Sequence, residues 1–265
     1  MSRSIDDLLE REVTRLPWGS TIAAVYDDFF PDWSLWAPAF HEVLTGRGAP
    51  PSSRALDMFC GTGSLLCALS DLGWSGTGVD ASMAMLELAR RKAGDRPNLE
   101  FVHGHAESYQ PEVASYDVVS ATCDAVNHLL TWGELSSFLG GAARALRPGG
   151  HLIFDCLTGS GMRGLTGSHP TDDERGRLDR QLLYNPDLRL LLAQVEGSVQ
   201  VGGSLVTVRH SLAERSYPIA ELVARVVDAG FVDVDVCTLP SLEPVGLDAA
   251  EKQRSVLILA RRGLT

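Results

Sequence analysis

The feature that most constrains the fold is a short apolar stretch, Ala55–Phe59, followed almost at once by Gly61-Thr62-Gly63. A helical pattern then runs to about Asp71. Glycines at such a junction let a ligand approach the backbone, and the start of the helix offers free N–H groups. Strand, glycine loop and helix together predict an α/β fold that binds a nucleotide-like cofactor at the carboxyl end of a parallel sheet.

Strand-like and helix-like segments alternate after this loop, which indicates crossover connections and a mostly parallel sheet. Ser82 is placed to cap a helix, and Thr131 and Glu134 have the spacing of a capping box. The strands expected after the first one are Gly76–Val79, Leu99–Val102, Tyr116–Ala121, His151–Asp155, Phe231–Thr238 and Ser255–Ala260.

Two regions depart from this alternation. Residues 1–50 have helical spacing, beginning with Ile5–Leu16, and we expect them to form an N-terminal cap or lid on a main domain of residues 51–265. Within that domain, residues 159–216 are predicted to be an insertion over the substrate cleft. It would consist of a glycine-rich loop, Gly159–Gly176, and three antiparallel strands, with Gly202-Gly203 as a hairpin turn.

Charge and composition disfavour several classes of substrate and location. The net charge of −11 disfavours nucleic acid as a substrate, because an acidic surface repels phosphate backbones. No apolar run approaches the roughly 18–20 residues of a membrane span, and the polar start of the chain is unlike a secretory signal. The five cysteines lack Cys-x-x-Cys spacing, so we expect reduced thiols and a cytoplasmic protein.

Two acidic residues define the kind of cofactor. Asp57 would put a negative charge beside a pyrophosphate, and the third glycine of a dinucleotide loop is absent after Gly63. Both features disfavour NAD and favour a cofactor that carries positive charge. Asp80 ends the second predicted strand, where a carboxylate can accept both ribose hydroxyls of an adenosine.

With these residues the chain resembles the class I S-adenosylmethionine-dependent methyltransferases, in particular the small-molecule type that tailors natural products. The resemblance extends from about Tyr26, in Tyr26-Asp27-Asp28-Phe29-Phe30, to the C-terminus. It implies an α/β, Rossmann-like fold: a seven-stranded, mostly parallel sheet with a reversed C-terminal hairpin. A helical N-terminal cap and an antiparallel β insertion after the fifth strand would complete it.

The resemblance also implies which residues bind S-adenosylmethionine and, after transfer, S-adenosylhomocysteine. His105 occupies the position where the family usually has an acid that contacts adenine. Either Glu107 takes over that contact, or the backbone of Ala106 does. The cofactor-binding residues implied in this way are Tyr26, Trp36, Asp57, Gly61, Thr62, Gly63, Asp80, Ala81, Met85, Ala106, Glu107, Thr122 and Cys123.

Methyl transfer from a sulfonium mainly requires that acceptor and methyl group be held in line, with a base only where the acceptor carries a proton. His128 is the leading candidate base, and Asp124 could hold a cationic amine or orient that histidine. His210, Glu214, Arg215 and Tyr217 could reach the same cleft from the end of the insertion.

No metal is expected. Asp124 and Asp155 fall roughly where some catechol-type methyltransferases place metal-binding acids, but Cys156 stands where that pattern has asparagine. The acceptor is expected to be a small organic metabolite methylated on N or O, with bacterial secondary metabolism as the setting. The sequence leaves the oligomeric state open and is compatible with a homodimer. Two alternatives remain: a methyltransferase-fold protein that binds the cofactor without transferring methyl, and an NAD-dependent oxidoreductase.

Overall fold

The computed structural model describes residues 18–264, so the predicted helix at Ile5–Leu16 lies outside the described residues. The helices are α1 (Ser20–Phe29), α2 (Ala37–Gly46), α3 (Ser64–Asp71), α4 (Met83–Ala93), α5 (Trp132–Ala145), α6 (Gly159–Gly164), α7 (Ile219–Asp228) and α8 (Leu247–Ala250). Two 3₁₀ turns span Trp33–Trp36 and Ala125–His128. The strands are β1 (Arg54–Met58), β2 (Ser75–Asp80), β3 (Leu99–His103), β4 (Tyr116–Ala121), β5 (Leu146–Leu157), β6 (Gly167–Asp173), β7 (Gly176–Asn185), β8 (Leu190–Val201), β9 (Ser204–Arg215), β10 (Phe231–Thr238) and β11 (Ser255–Arg262).

Seven strands form the main sheet, in the order β10-β11-β5-β4-β1-β2-β3. Every pairing is parallel except the two made by β11, which runs antiparallel to β10 and to β5. The C-terminal hairpin is therefore reversed by its last strand, and the predicted fold is confirmed. Because β1 and β4 are neighbours at the centre, their carboxyl ends meet at the point where the chain order changes direction, which is where such sheets bind ligands.

The remaining four strands form an antiparallel sheet in the order β6-β7-β8-β9. Gly202 and Gly203, both with positive φ, make the predicted two-residue turn that joins Val201 to Ser204.

The prediction that Gly159–Gly176 is a loop was wrong. Thr158 caps α6 by accepting a hydrogen bond from the N–H of Gly161 at 3.0 Å, and β6 pairs with β7 along its whole length. Gly161 is required for close packing, since a Cβ there would lie 1.9 Å from the carbonyl oxygen of Arg254. Gly161 and Gly176 are therefore explained by close contact with neighbouring backbone, whereas nothing lies within 4 Å of a Cβ on Gly164 or Gly167.

Apolar clusters cover both faces of the main sheet. Along β1, Leu56 and Met58 face one cluster with Phe138 of α5, while Ala55 faces the other with Leu66 of α3. This alternation follows from the period of two in a strand, and it explains why β1 carries apolar side chains on both faces. Both faces of the central strands are thereby held rigid around the site.

A third apolar cluster joins α1 to the small sheet. Ile22 and Val25 of α1 are fully buried against Leu178, Val195 and other residues of β7–β9. Residues of the predicted N-terminal cap are thus fixed to the insertion and extend over the same end of the main sheet. Within residues 18–264, no helix combines the length and the apolar composition that crossing a bilayer demands.

Candidate active site

A cavity of about 960 Å³ opens at the carboxyl ends of the central strands. The loops after β1, β2 and β4 form one side of it, and residues of α1 and of β7–β9 form the other. The cavity thus lies where the sequence predicted a ligand, with the small sheet against it.

The glycine loop is shaped by two left-handed glycines. Gly61 has φ +52° and Gly63 has φ +73°, and Gly63 is the residue that begins α3. A Cβ on Gly63 would lie 2.9 Å from the ring of Phe101, whereas nothing lies within 4 Å of one on Gly61. Gly63 therefore serves the packing of the loop, and Gly61 leaves room beside the cavity for a ligand to approach the backbone.

Asp80 closes this loop from the end of β2. Its Oδ2 accepts a hydrogen bond from the N–H of Gly61 at 2.8 Å, and its Oδ1 accepts one from the N–H of Ser82 at 2.8 Å. Burial raises the pKa of the carboxyl, while these two N–H groups act in the opposite direction. Each oxygen keeps a further lone pair for a ligand hydroxyl.

Asp57 lies beneath the same loop and is 2% exposed. Ser120 donates a hydrogen bond to its Oδ1 at 2.6 Å, but burial dominates and raises the pKa of the carboxyl to about 7. The neighbouring charge of Asp80 adds to the rise. Two acids with raised pKa values in one wall of a cavity favour a cationic ligand, because a nearby positive charge would stabilise their ionised forms.

α1 is connected to this wall by polar contacts. Thr62 donates a hydrogen bond to Asp27 at 2.5 Å, and Lys92 of α4 forms an ion pair with Asp27 at 2.7 Å. Tyr26 on the same helix stacks on Phe30, and its hydroxyl lies 3.5 Å from the sulfur of Cys123. Tyr26 therefore spans from α1 to the end of β4 across the cavity.

Most of the residues predicted to bind the cofactor line this cavity. Three do not: Trp36 packs against Trp33 and Phe40 outside it, Ala106 is in the apolar core, and Gly63 contributes only its backbone geometry. Trp33, which the sequence analysis missed, lines the cavity in place of Trp36. The lining residues that were predicted, including the two candidate catalytic ones, are Tyr26, Asp57, Gly61, Thr62, Asp80, Ala81, Met85, Glu107, Thr122, Cys123, Asp124 and His128.

The loop after β4 brings the two candidate catalytic residues to the cavity. Cys123 and Asp124 both have positive φ, at 66° and 49°, and Asp155 of β5 accepts a hydrogen bond from the N–H of Asp124 at 3.1 Å. Burial raises the pKa of the Asp124 carboxyl. Burial lowers the pKa of His128 to about 4, partly offset by a hydrogen bond with the backbone of Ala213.

Two further residues reach this side of the cavity from β9. His210 and Glu214 are four residues apart and therefore lie on one face of the strand. Glu214 is 8% exposed, and burial together with the charge of Asp124 raises its pKa well above the ordinary value. Arg215 and Tyr217 instead donate hydrogen bonds to the carbonyls of Leu130 and Leu129. The alternation of side chains along β9 could have separated His210 and Glu214 from Arg215 already at the level of the sequence.

Comparison with known proteins adds the family. Residues 55–150 match the family model described as "Methyltransferase domain". The matched stretch contains the glycine loop, Asp80 and the loop after β4, so the resemblance to S-adenosylmethionine-dependent methyltransferases is confirmed for the part of the chain that carries those motifs.

A curated relative, the demethylmenaquinone methyltransferase of Staphylococcus aureus, is 34% identical over 121 residues, which is 43% of this chain and 46% of the relative. The chain thus spans about half the length of the curated relatives it matches. Two solved structures share the fold over most of this chain. An S-adenosylmethionine-dependent methyltransferase from Clostridium acetobutylicum has a TM-score of 0.79 at 17% identity, covering 91% of this chain and 96% of that one. The sugar N-methyltransferase KedS8 from Streptoalloteichus has a TM-score of 0.72 at 18% identity, covering 99% and 98%.

Proposed function

We propose that this chain transfers a methyl group from S-adenosylmethionine to an N or O atom of a small organic metabolite. The observation that carries the proposal is the composition of one cavity. The glycine loop with Asp57 and Asp80 lines it together with Asp124 and His128 from the loop after β4. A cationic adenosine cofactor and a polar acceptor can therefore occupy the same space.

In this proposal Asp80 accepts the ribose hydroxyls, and Asp57 and the backbone near Gly61 hold the methionine part of the cofactor. Ala81 and Met85 contact the adenine. Of the two candidates for the contact with the adenine amino group, Glu107 lines the cavity and Ala106 lies in the apolar core, so the contact is assigned to Glu107. Tyr26 and Cys123, whose side chains meet at 3.5 Å, would enclose the sulfonium together with Thr122. These contacts fix the methyl group in line with the acceptor, which is the main requirement of the reaction.

The acceptor would lie among Asp124, His128 and the β9 residues. Nitrogen is favoured as the acceptor atom by the likeness to a sugar N-methyltransferase and by the carboxyls of Asp124 and Glu214, which can bind a protonated amine and take up the proton it loses before its lone pair attacks the methyl group. His128 is neutral near pH 7, because burial lowers its pKa to about 4, so it can accept a hydrogen bond from the acceptor. The net charge of −11 supports a small molecule rather than nucleic acid as partner, and the cysteine pattern supports a cytoplasmic location.

The first experiment is a calorimetric titration of the purified protein with S-adenosylmethionine, S-adenosylhomocysteine and NAD in parallel. Micromolar binding of the first two and none of NAD is expected. Binding of NAD alone would refute the assignment of Asp57 and Asp80. Incubation with labelled S-adenosylmethionine and a panel of amines and alcohols then separates transfer from binding alone.

His128→Ala tests the acceptor side. It should reduce turnover while cofactor affinity stays unchanged, because His128 belongs to the 3₁₀ turn after β4 and not to the glycine loop or to the Asp80 region. Full turnover of this variant between pH 6 and pH 9 would contradict a role for His128 in transfer.

A further inference from the structure

Three side chains with metal-binding atoms converge in the acceptor part of the cavity. One ligand atom each from Asp124, His128 and Glu214 lies within 4.8 Å of the other two. They come from the loop after β4, the following 3₁₀ turn and β9, so two separate parts of the chain are brought together at this point.

Glu214 gives independent evidence that a ligand belongs here. Its Oε2 is buried and has no hydrogen-bond partner among residues 18–264, although the residue is only 8% exposed. A buried carboxyl oxygen without a partner is costly, and a bound ion is one of the few features that account for such a group. The same residue supplies one of the three clustered ligand atoms.

The three residues are held as metal ligands are. His128 hydrogen bonds to the backbone of Ala213, which fixes one ring nitrogen and leaves the other for an ion. Asp155 fixes the backbone of Asp124 through the hydrogen bond to its N–H at 3.1 Å. Such supporting contacts orient the ligating groups and are typical of metal sites.

Charge balance decides between an ion and an organic cation. Burial raises the pKa values of both carboxyls, and a divalent ion held between them would keep both ionised and neutralise both charges, whereas a single ammonium group neutralises only one. Ligands at about 2.1 Å from a metal lie about 3–4 Å apart, so small side-chain rotations would close the present spacing. Mixed imidazole and carboxylate ligands suit first-row transition metals better than they suit magnesium.

We propose that Asp124, His128 and Glu214 bind one divalent first-row transition-metal ion beside the acceptor. This reverses the expectation of a metal-free site. The donor set also differs from the pair considered in the sequence, since Asp155 supports Asp124 and Glu214 supplies the ligand from the insertion. The site goes beyond the proposed methyl transfer, and its occupancy can be measured without any acceptor.

The test is a calorimetric titration of the chelator-treated full chain with Mn²⁺ and Zn²⁺, with Mg²⁺ as the comparison ion. One Mn²⁺ or Zn²⁺ per chain is expected, bound more tightly than Mg²⁺. Loss of a supporting residue in metal sites weakens binding by about 10–100-fold, so loss of a ligand in Glu214→Gln or Asp124→Asn should weaken it by at least about 100-fold. The matched control is Glu196→Gln on the exposed part of β8, which should bind the ion as the wild type does.

Failure to bind an ion at one per chain, or equal affinity in Glu214→Gln and the wild type, would overturn the proposal. Circular dichroism verifies that each variant is folded. S-adenosylmethionine titration of the same samples keeps the two proposals separate, because Glu214 belongs to β9 and not to the glycine loop. A chain that binds no ion, but whose Glu214→Gln variant loses affinity for an amine acceptor, would assign the cluster to an ammonium group and refute the metal site.

Discussion

Replacement of Asp57 by asparagine tests how burial controls this site. Folding raises the pKa of the carboxyl from 3.8 to about 7, chiefly through burial. The folded chain therefore binds a proton that the unfolded chain has lost, and stability falls as the pH rises between those two values. At 1.36 kcal/mol per pKa unit, ionisable Asp57 lowers the free energy of unfolding by about 4 kcal/mol at pH 8.

An asparagine side chain at this position cannot ionise, and it can still accept the hydrogen bond from Ser120. Relative to wild type, the free energy of unfolding of Asp57→Asn should therefore increase by about 3 kcal/mol between pH 5 and pH 8. Urea denaturation of both proteins without ligand, at the two pH values, measures this change. Asp187→Asn, at the exposed turn between β7 and β8, is the matched control and should differ equally from wild type at both values. A difference for Asp57→Asn that stays constant with pH would refute the reasoning.

Three further substitutions test other parts of the structure. Gly63→Ala should lower the free energy of unfolding by about 2–5 kcal/mol, from the left-handed backbone and the contact with Phe101, whereas Gly61→Ala should lose only the first contribution of about 1–2 kcal/mol. Equal losses in denaturant titrations would contradict the packing argument. Thr131→Ala should cost about 1 kcal/mol by removing the capping box, and Thr131→Ser should restore most of it in the same assay. Asp80→Ala should weaken S-adenosylhomocysteine binding at least tenfold in calorimetry, because the ribose loses a charged acceptor; unchanged affinity would place the adenosine elsewhere.

The elements that were predicted correctly are those with a local physical signal. Ser82 and Thr131 cap their helices as their spacing indicated, because a cap depends only on the next three residues. Gly202-Gly203 makes the predicted hairpin turn for the same reason. The position of Asp80 at the end of β2 follows from the length of an apolar strand.

The errors concern contacts between distant parts of the chain. β6 was missed because its order comes from pairing with β7, and α6 was missed because Gly161 packs against Arg254; neither contact has a local pattern. Trp36 and Trp33 are equally aromatic, and only tertiary packing decides which of them faces the cavity. Glu214 joins Asp124 through the position of the insertion on the main sheet, which the sequence does not specify.

Three residues that line the cavity have a strained backbone conformation. Phe59, Cys123 and Asp124 are non-glycine residues with positive φ, and all three line the cavity. Such a conformation costs about 1–2 kcal/mol per residue, so it persists only where the surrounding structure enforces it. Asp155 enforces it at Asp124 by accepting the hydrogen bond from its N–H, and the left-handed turn presents the Asp124 carboxylate to the cavity. Because glycine would relieve the strain but supply no carboxylate, the chain is less stable at this position in return for a charged group beside the acceptor.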